Sequence, residues 1–146
     1  MALDANGALI VAFNDATAAV GKVSNDATAT SGGISTTVRL ASAAASTNAT
    51  NVKTTPGRIY SVQAYNAATY TVYLVLYDSA ANPPVPGTTT IRKKVPIPTG
   101  AAIALDWPVG LYFATGIGYA FTKLAADADT TALAAADVLQ FNMDYV

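Results

Sequence analysis

From Ile34 to the C-terminus, apolar and polar residues alternate with the two-residue period of half-buried strands, and no stretch keeps the period of a long amphipathic helix. In Ile34–Leu40 the residues Ile34, Val38 and Leu40 fall on one face, and Ser35, Thr37 and Arg39 on the other. Pro56-Gly57 is a turn signal. After it, Arg58–Asn66 and Tyr70–Ser79 read as two strands, and Ala67-Ala68-Thr69 between them predicts a hairpin. The second strand carries Tyr70, Val72, Leu74 and Leu76 on one face and Thr71, Tyr73, Val75 and Tyr77 on the other. Both faces are apolar or aromatic, so this strand is expected to be central and covered on both sides.

Asn82–Gly87 holds three prolines and is expected to be a stiff loop. Thr88–Ile97 reads as a strand, with Pro96 and Pro98 pointing to a sheet edge. Ala101–Leu105 reads as a short strand closed by Asp106-Trp107-Pro108, and Gly110–Thr122 as another. In the latter, Leu111, Phe113, Ile117, Tyr119 and Phe121 oppose a small face of Tyr112, Ala114, Gly116, Gly118 and Ala120, which invites close approach of another backbone. Residues 127–137 are Ala-rich with three Asp and predict a helical turn or an ordered loop. Val138–Val146 is the last strand, with Leu139, Phe141, Met143 and Tyr145 inward. Roughly eight strands with turn signals between them predict an all-β domain over 34–146, an antiparallel β-sandwich or jelly-roll-like barrel.

Residues 1–33, ending at Gly32-Gly33, are different: small, polar and short of packing residues. They read as an extended N-terminal arm or linker, either a partly disordered tail or an arm that orders only against neighbouring subunits. Leu9–Phe13 is its one apolar piece and predicts a short strand, with Leu9, Ile10, Val11 and Phe13 as candidate contacts. The opening Met1–Gly7 lacks the basic segment of a secretory signal. Residues 101–121 are apolar but carry Asp106, Pro108 and several Gly, so no membrane partner is expected.

Composition narrows the chemistry. The 146 residues include no His and no Cys, all nine acids are Asp, and 12% of residues are charged. The usual general bases, nucleophiles and zinc ligands are therefore scarce. Ser and Thr have no His to activate them, and Lys53, Lys93, Lys94 and Lys123 lack a Ser-x-x-Lys setting. An enzyme is not expected, and neither is a cofactor. A net charge of −1 argues against nucleic acid.

Three groups compete for a role. Asp127, Asp129 and Asp137 offer oxygen ligands of the kind Ca²⁺ takes, but without EF-hand spacing they read better as turn and capping residues. Arg92-Lys93-Lys94 is either a docking patch for an acidic surface or a charged guard on an edge strand, with Arg92 and Lys94 on one face. The eight Tyr and Trp107 supply either core packing or a platform for sugar or protein. Trp107, in its Pro-flanked turn, is the candidate exposed anchor.

Several short motifs, in this order and spacing, carry a resemblance. They are Asn51–Tyr60, Leu74–Asp78 followed by a Pro-rich loop ending at Pro86-Gly87, Val95-Pro96-Ile97-Pro98, Gly110–Ile117, and Ala128–Ala132 before a final strand ending in Tyr145. Over residues 34–146 the chain resembles a family of small structural proteins of tailed bacteriophages. The resemblance implies a β-sandwich virion component with no catalytic residues to carry over. Its expected role is capsid decoration, or cement, on the capsid exterior after synthesis in the host cytoplasm. The expected partners are the major capsid protein lattice and the chain itself, as a dimer or trimer. Related modules in tails and fibres leave a second expectation, recognition of a host-surface glycan.

Overall fold

The computed structural model describes Ala2–Leu3, Leu9–Ile10, Ile34 and Thr36–Val146. The chain divides into two units, Met1–Gly33 and Ile34–Val146. In the first, β1 (Ala2–Leu3) and β2 (Leu9–Ile10) pair antiparallel, Ala2 opposite Ile10 and Leu3 opposite Leu9. The rest of the expected arm, Val11 and Phe13 included, lies outside the described residues.

The second unit is an antiparallel β-sandwich. Its strands are β3 (Thr36–Ser42), β4 (Thr50–Lys53), β5 (Gly57–Asn66), β6 (Val72–Asp78), β7 (Ile91–Ile97), β8 (Ala102–Phe113), β9 (Ile117–Thr122) and β10 (Val138–Tyr145). One sheet has the order β3-β10-β5-β8 and the other β4-β9-β6-β7. Inner faces meet as the alternation requires. Ile59, Val62, Phe113, Phe141 and Met143 from the first sheet pack with Val72, Leu74, Leu76, Ile97, Ile117 and Phe121 from the second, all fully buried. Phe121 and Phe141 join the sheets edge to face, with ring centroids 5.3 Å apart, and Tyr119 lies 4.6 Å from Phe141.

β6 is internal, as its two apolar faces predict: Leu74 and Leu76 enter the main core while Val75 and Tyr77 form a second cluster with Ala120 on the far side. That outer face is roofed by the Pro-rich loop. Pro84 is buried, and a Cβ on Gly118 would lie 3.0 Å from its ring. The small face of β9 therefore receives this loop, as a stripe of small residues allows. Burial, with a smaller contribution from the charge of Asp127, pushes the Tyr77 phenol up to about 12.

Connectivity departs from the sequence reading at several points. β5 and β6 are not a hairpin, because they belong to opposite sheets. The buried Asn66 side chain turns the corner: its Nδ2 donates to the carbonyls of Tyr70, Ile97 and Pro98, and its Oδ1 accepts from Ala68 N–H. The sequential hairpin is β6–β7. Gly110–Thr122 is likewise not one strand but the end of β8 and all of β9, again in opposite sheets. Asp78 holds that corner by accepting from the N–H groups of Ala114, Thr115 and Gly116 and from the Thr115 hydroxyl. Gly116 must be small there, since a Cβ would come within 2.6 Å of the carbonyl oxygens of Lys53 and Ser79.

Asp106-Trp107-Pro108 does not close a strand. β8 runs through it with a bulge, because only Tyr60 lies between the pairs Ile59–Leu111 and Ser61–Asp106. In β10, Gln140 adopts φ 54° at a second bulge, which shifts the parity so that Val138, not Leu139, is fully buried. Ile34 is 53% exposed and precedes β3 rather than sharing its inner face with Val38 and Leu40. Residues 127–137 are loop and turn.

Candidate docking surfaces

An antiparallel sandwich exposes four strand edges, and each must be guarded, paired or left open. The β7 edge carries Arg92, Lys93 and Lys94. Lys93 stands opposite Leu76 in register, and Pro96 opposite Tyr73, so a charge and a missing N–H both blunt this edge. Arg92 is the extra residue of a bulge between Ile91–Tyr77 and Lys93–Leu76. It therefore does not pair off with Lys94. Arg92 Nε donates to the Tyr112 carbonyl at 3.1 Å, on the edge strand of the other sheet. Lys94 Nζ donates to Ala126 O at 2.6 Å and lies 5.4 Å from the Tyr73 ring centroid. Two of the three cations are thus engaged within the domain, and Lys93 stands exposed.

The β8 edge is broken by its bulge and by Pro108. Gly110 supplies the positive φ (75°), and one guanidinium nitrogen of Arg58 donates to both Val109 O and Gly110 O at 3.1 Å. The same guanidinium lies 5.1 Å from the Tyr112 ring centroid. Val109 is 82% exposed at the tip, whereas Trp107 is half-buried and packs against the main core. β4 is four residues long, and its Asn51 Nδ2 donates to Ser79 O and Ala81 O.

β3 is the exception. It runs seven residues, contains no Pro, has Arg39 as its one charge, and pairs among the described residues with β10 alone. The outer face beside it is polar: Asp144 of β10 accepts from the hydroxyls of Thr37 and Ser61, both at 2.5 Å.

The carboxylates act as staples. Asp129 accepts from the N–H groups of Leu124 and Thr131 and from the Thr131 hydroxyl, and Asp137 accepts from Ala134 N–H and the Tyr70 hydroxyl. These are the turn roles weighed above against Ca²⁺. Among the described residues no three acids gather as a metal site would require.

Their ionisation follows from these bonds. Burial raises the Asp78 and Asp129 carboxyls, but the donors around each more than reverse it, and both end below the ordinary value. Asp144 is lowered by Ser61 and then Thr37, against a smaller effect of burial. A carboxyl depressed in the fold stabilises it fully above the unfolded value and loses that contribution as pH falls through the folded one. With no His or Cys in the chain, the urea midpoint is expected to stay level from about pH 5 to pH 8 and then to drop steeply below about pH 4. Asp78→Asn is expected to lower the neutral midpoint and flatten the acid limb. An acid limb unchanged in D78N would contradict this role.

On the outer face of the first sheet lies a shallow depression of about 300 Å³ over β10, β5 and β8. Tyr65, 38% exposed, and Tyr112, 47% exposed, are the tyrosines most open to solvent among the described residues. Tyr65 lines this depression. Sequence reading placed Gln140 and Asn142 outward, but their neighbours on β5 follow from a long-range pairing that no local pattern displays.

Comparison with family models, with curated proteins and with solved structures gives no match.

Proposed function

We propose that this chain is a virion structural protein, a capsid decoration (cement) protein that binds the outside of an assembled phage head and stabilises it. The observation that carries the reading is the unequal treatment of the sheet edges: β7 and β8 are blunted by charge, proline and bulges, while β3 is seven residues long, has no Pro and, among the described residues, pairs with β10 alone. Such an edge accepts a further strand through main-chain hydrogen bonds, with few demands on side-chain identity. The partner is the major capsid protein lattice, and self-association as a dimer or trimer supplies several such edges at once.

The mechanism is mass action. A protein that binds only the assembled shell stabilises it by RT ln(1 + [L]/Kd) per site. No chemistry is required of it, consistent with a chain that has neither His nor Cys. The motif resemblance over residues 34–146 supports the same reading.

The test is co-sedimentation of the purified full-length protein with expanded empty heads of the phage that encodes it, followed by imaging of labelled particles. Saturable binding and a regular array on the capsid exterior are expected. Absence of the protein from purified particles, with no binding to heads, would overturn the proposal.

A further inference from the structure

The depression on the outer face of the first sheet is lined by side chains from three adjacent strands. Gln63 and Tyr65 of β5 stand at its centre, Gln140 and Asn142 of β10 form one wall, and Ala102 and Ala104 of β8 leave the other side low. The β10 bulge sits at its rim, where Gln140 holds φ 54°, a left-handed conformation that costs a non-glycine residue energy and that gathers at functional sites. Asn142 Nδ2 donates to Gln140 O at 3.0 Å, which fixes the amide and leaves its Oδ1 to accept from elsewhere. The side-chain amides of Gln63 and Gln140 and the Tyr65 hydroxyl have no hydrogen-bond partner among the described residues.

The chemistry of this lining is selective. Three carboxamides offer paired donors and acceptors, one exposed phenol ring offers an apolar plane, and none of the lining side chains is charged. A sugar ring has matching properties: hydroxyls around its edge that both donate and accept, and C–H faces that stack on an aromatic ring. Anionic ligands find no cation here, and cationic ones no carboxylate. An apolar peptide side chain would leave the amides unpaired at a cost. The volume lies at the small end of the range for ligand sites, in keeping with one or two sugar units.

We infer that this depression binds a neutral saccharide, with Tyr65 stacking on a pyranose face and Gln63, Gln140 and Asn142 bonding its hydroxyls. The inference is independent of the β3 edge and of capsid binding, since the lining residues lie on β5, β8 and β10.

The experiment is a titration of the full-length ¹⁵N-labelled protein, followed by heteronuclear NMR. The probes are neutral tetrasaccharides of glucose, mannose, galactose and N-acetylglucosamine. At least one probe is expected to bind with a Kd of about 1 mM or tighter, shifting the amide signals of Ala102, Ala104, Gln140 and Asn142. Tyr65→Ala and Gln63→Ala are each expected to weaken it about tenfold or more, while Tyr65→Phe retains most of the affinity. If Tyr65→Ala loses its dispersed spectrum, the exposed Gln63→Ala variant decides alone. No saturable shift with any probe, shifts mapping to another surface, or wild-type affinity in folded Gln63→Ala would overturn the inference. Head binding by Gln63→Ala is expected to be unchanged, so failure of one proposal leaves the other standing.

Discussion

Asn66→Ala is expected to cost the domain about 3–5 kcal/mol, a large share of the ~5–15 kcal/mol that holds a typical domain folded. The side chain is fully buried, and its Nδ2 serves three carbonyls at 2.8, 2.8 and 3.2 Å with two hydrogens. Those carbonyls belong to Tyr70 ahead of β6, and to Ile97 and Pro98 at the end of β7. The Asn66 backbone also bonds Ala101 and Gly100, at the entry to β8. One residue thus ties the end of β5 to three other chain segments. Alanine removes both donors and the acceptor for Ala68 N–H, so the buried Ile97 carbonyl and the Ala68 N–H lose this partner, and each unsatisfied buried group costs about 1–3 kcal/mol. Aspartate at the same position is expected to be no better, because it sets carboxylate oxygens against carbonyls. Urea denaturation checks this through the midpoint, with the slope unchanged if the fold itself is retained. A loss under about 1 kcal/mol would mean that water replaces the amide without penalty, and the corner would need another explanation.

Asn66 also marks the limit of what local sequence pattern reveals. β3, with its alternation, and β6, with two apolar faces, were legible because side-chain parity is a local property. The sheet to which each strand belongs is not local. Ala67-Ala68-Thr69 looks like a hairpin loop, yet the chain crosses the sandwich there because a buried amide from Asn66 replaces the ladder bonds a hairpin would make. The same holds at Ala114–Gly116. The alternation from Leu111 to Phe121, interrupted only by Thr115, reads as one strand, but Asp78, 36 to 38 residues away in sequence, gathers three N–H groups and bends the chain into the other sheet. Positions 113 and 117 are both inward either way, so periodicity could not distinguish the two.

Bulges erased parity in the opposite sense. Trp107-Pro108 looked like an ending because proline cannot serve an interior ladder, but on an edge strand it is tolerated within a bulge. The positive φ of Gln140 has no sequence signature, since nothing in Leu139-Gln140-Phe141 announces a left-handed residue. β4 escaped notice because Thr50–Lys53 is short and its four residues are all half-buried. The candidate sites followed the same rule. Arg92–Lys94 was visible as a charge run, and its edge position could be read from Pro96. The partners that engage Arg92 and Lys94, the carbonyls of Tyr112 and Ala126, lie 20 and 32 residues away. The saccharide depression assembles side chains from three strands whose adjacency is set by long-range pairing, and so it had no linear trace.

Val38→Lys is expected to weaken binding to empty heads by about a hundredfold while leaving the domain folded. The substitution copies onto β3 the device already present on β7, where Lys93 stands in register with the core residue Leu76. Val38 is half-buried, packs against the core, and faces Met143 across the ladder. A lysine there can lay its stem along apolar surface and lift its charge past the sheet edge, for a stability cost of about 1–2 kcal/mol. An incoming strand would bury that charge beside its own backbone, and a buried unpaired charge is among the strongest deterrents to association. Circular dichroism and the urea midpoint establish the fold, and co-sedimentation reads the binding. If Val38→Lys proves unfolded, Ala41→Lys, at an exposed site on the same strand, carries the comparison with a smaller expected loss. Wild-type binding by a folded Val38→Lys protein would exclude β3 as the docking edge. Loss of binding together with an unchanged saccharide titration would assign the two proposed activities to separate faces of one sandwich.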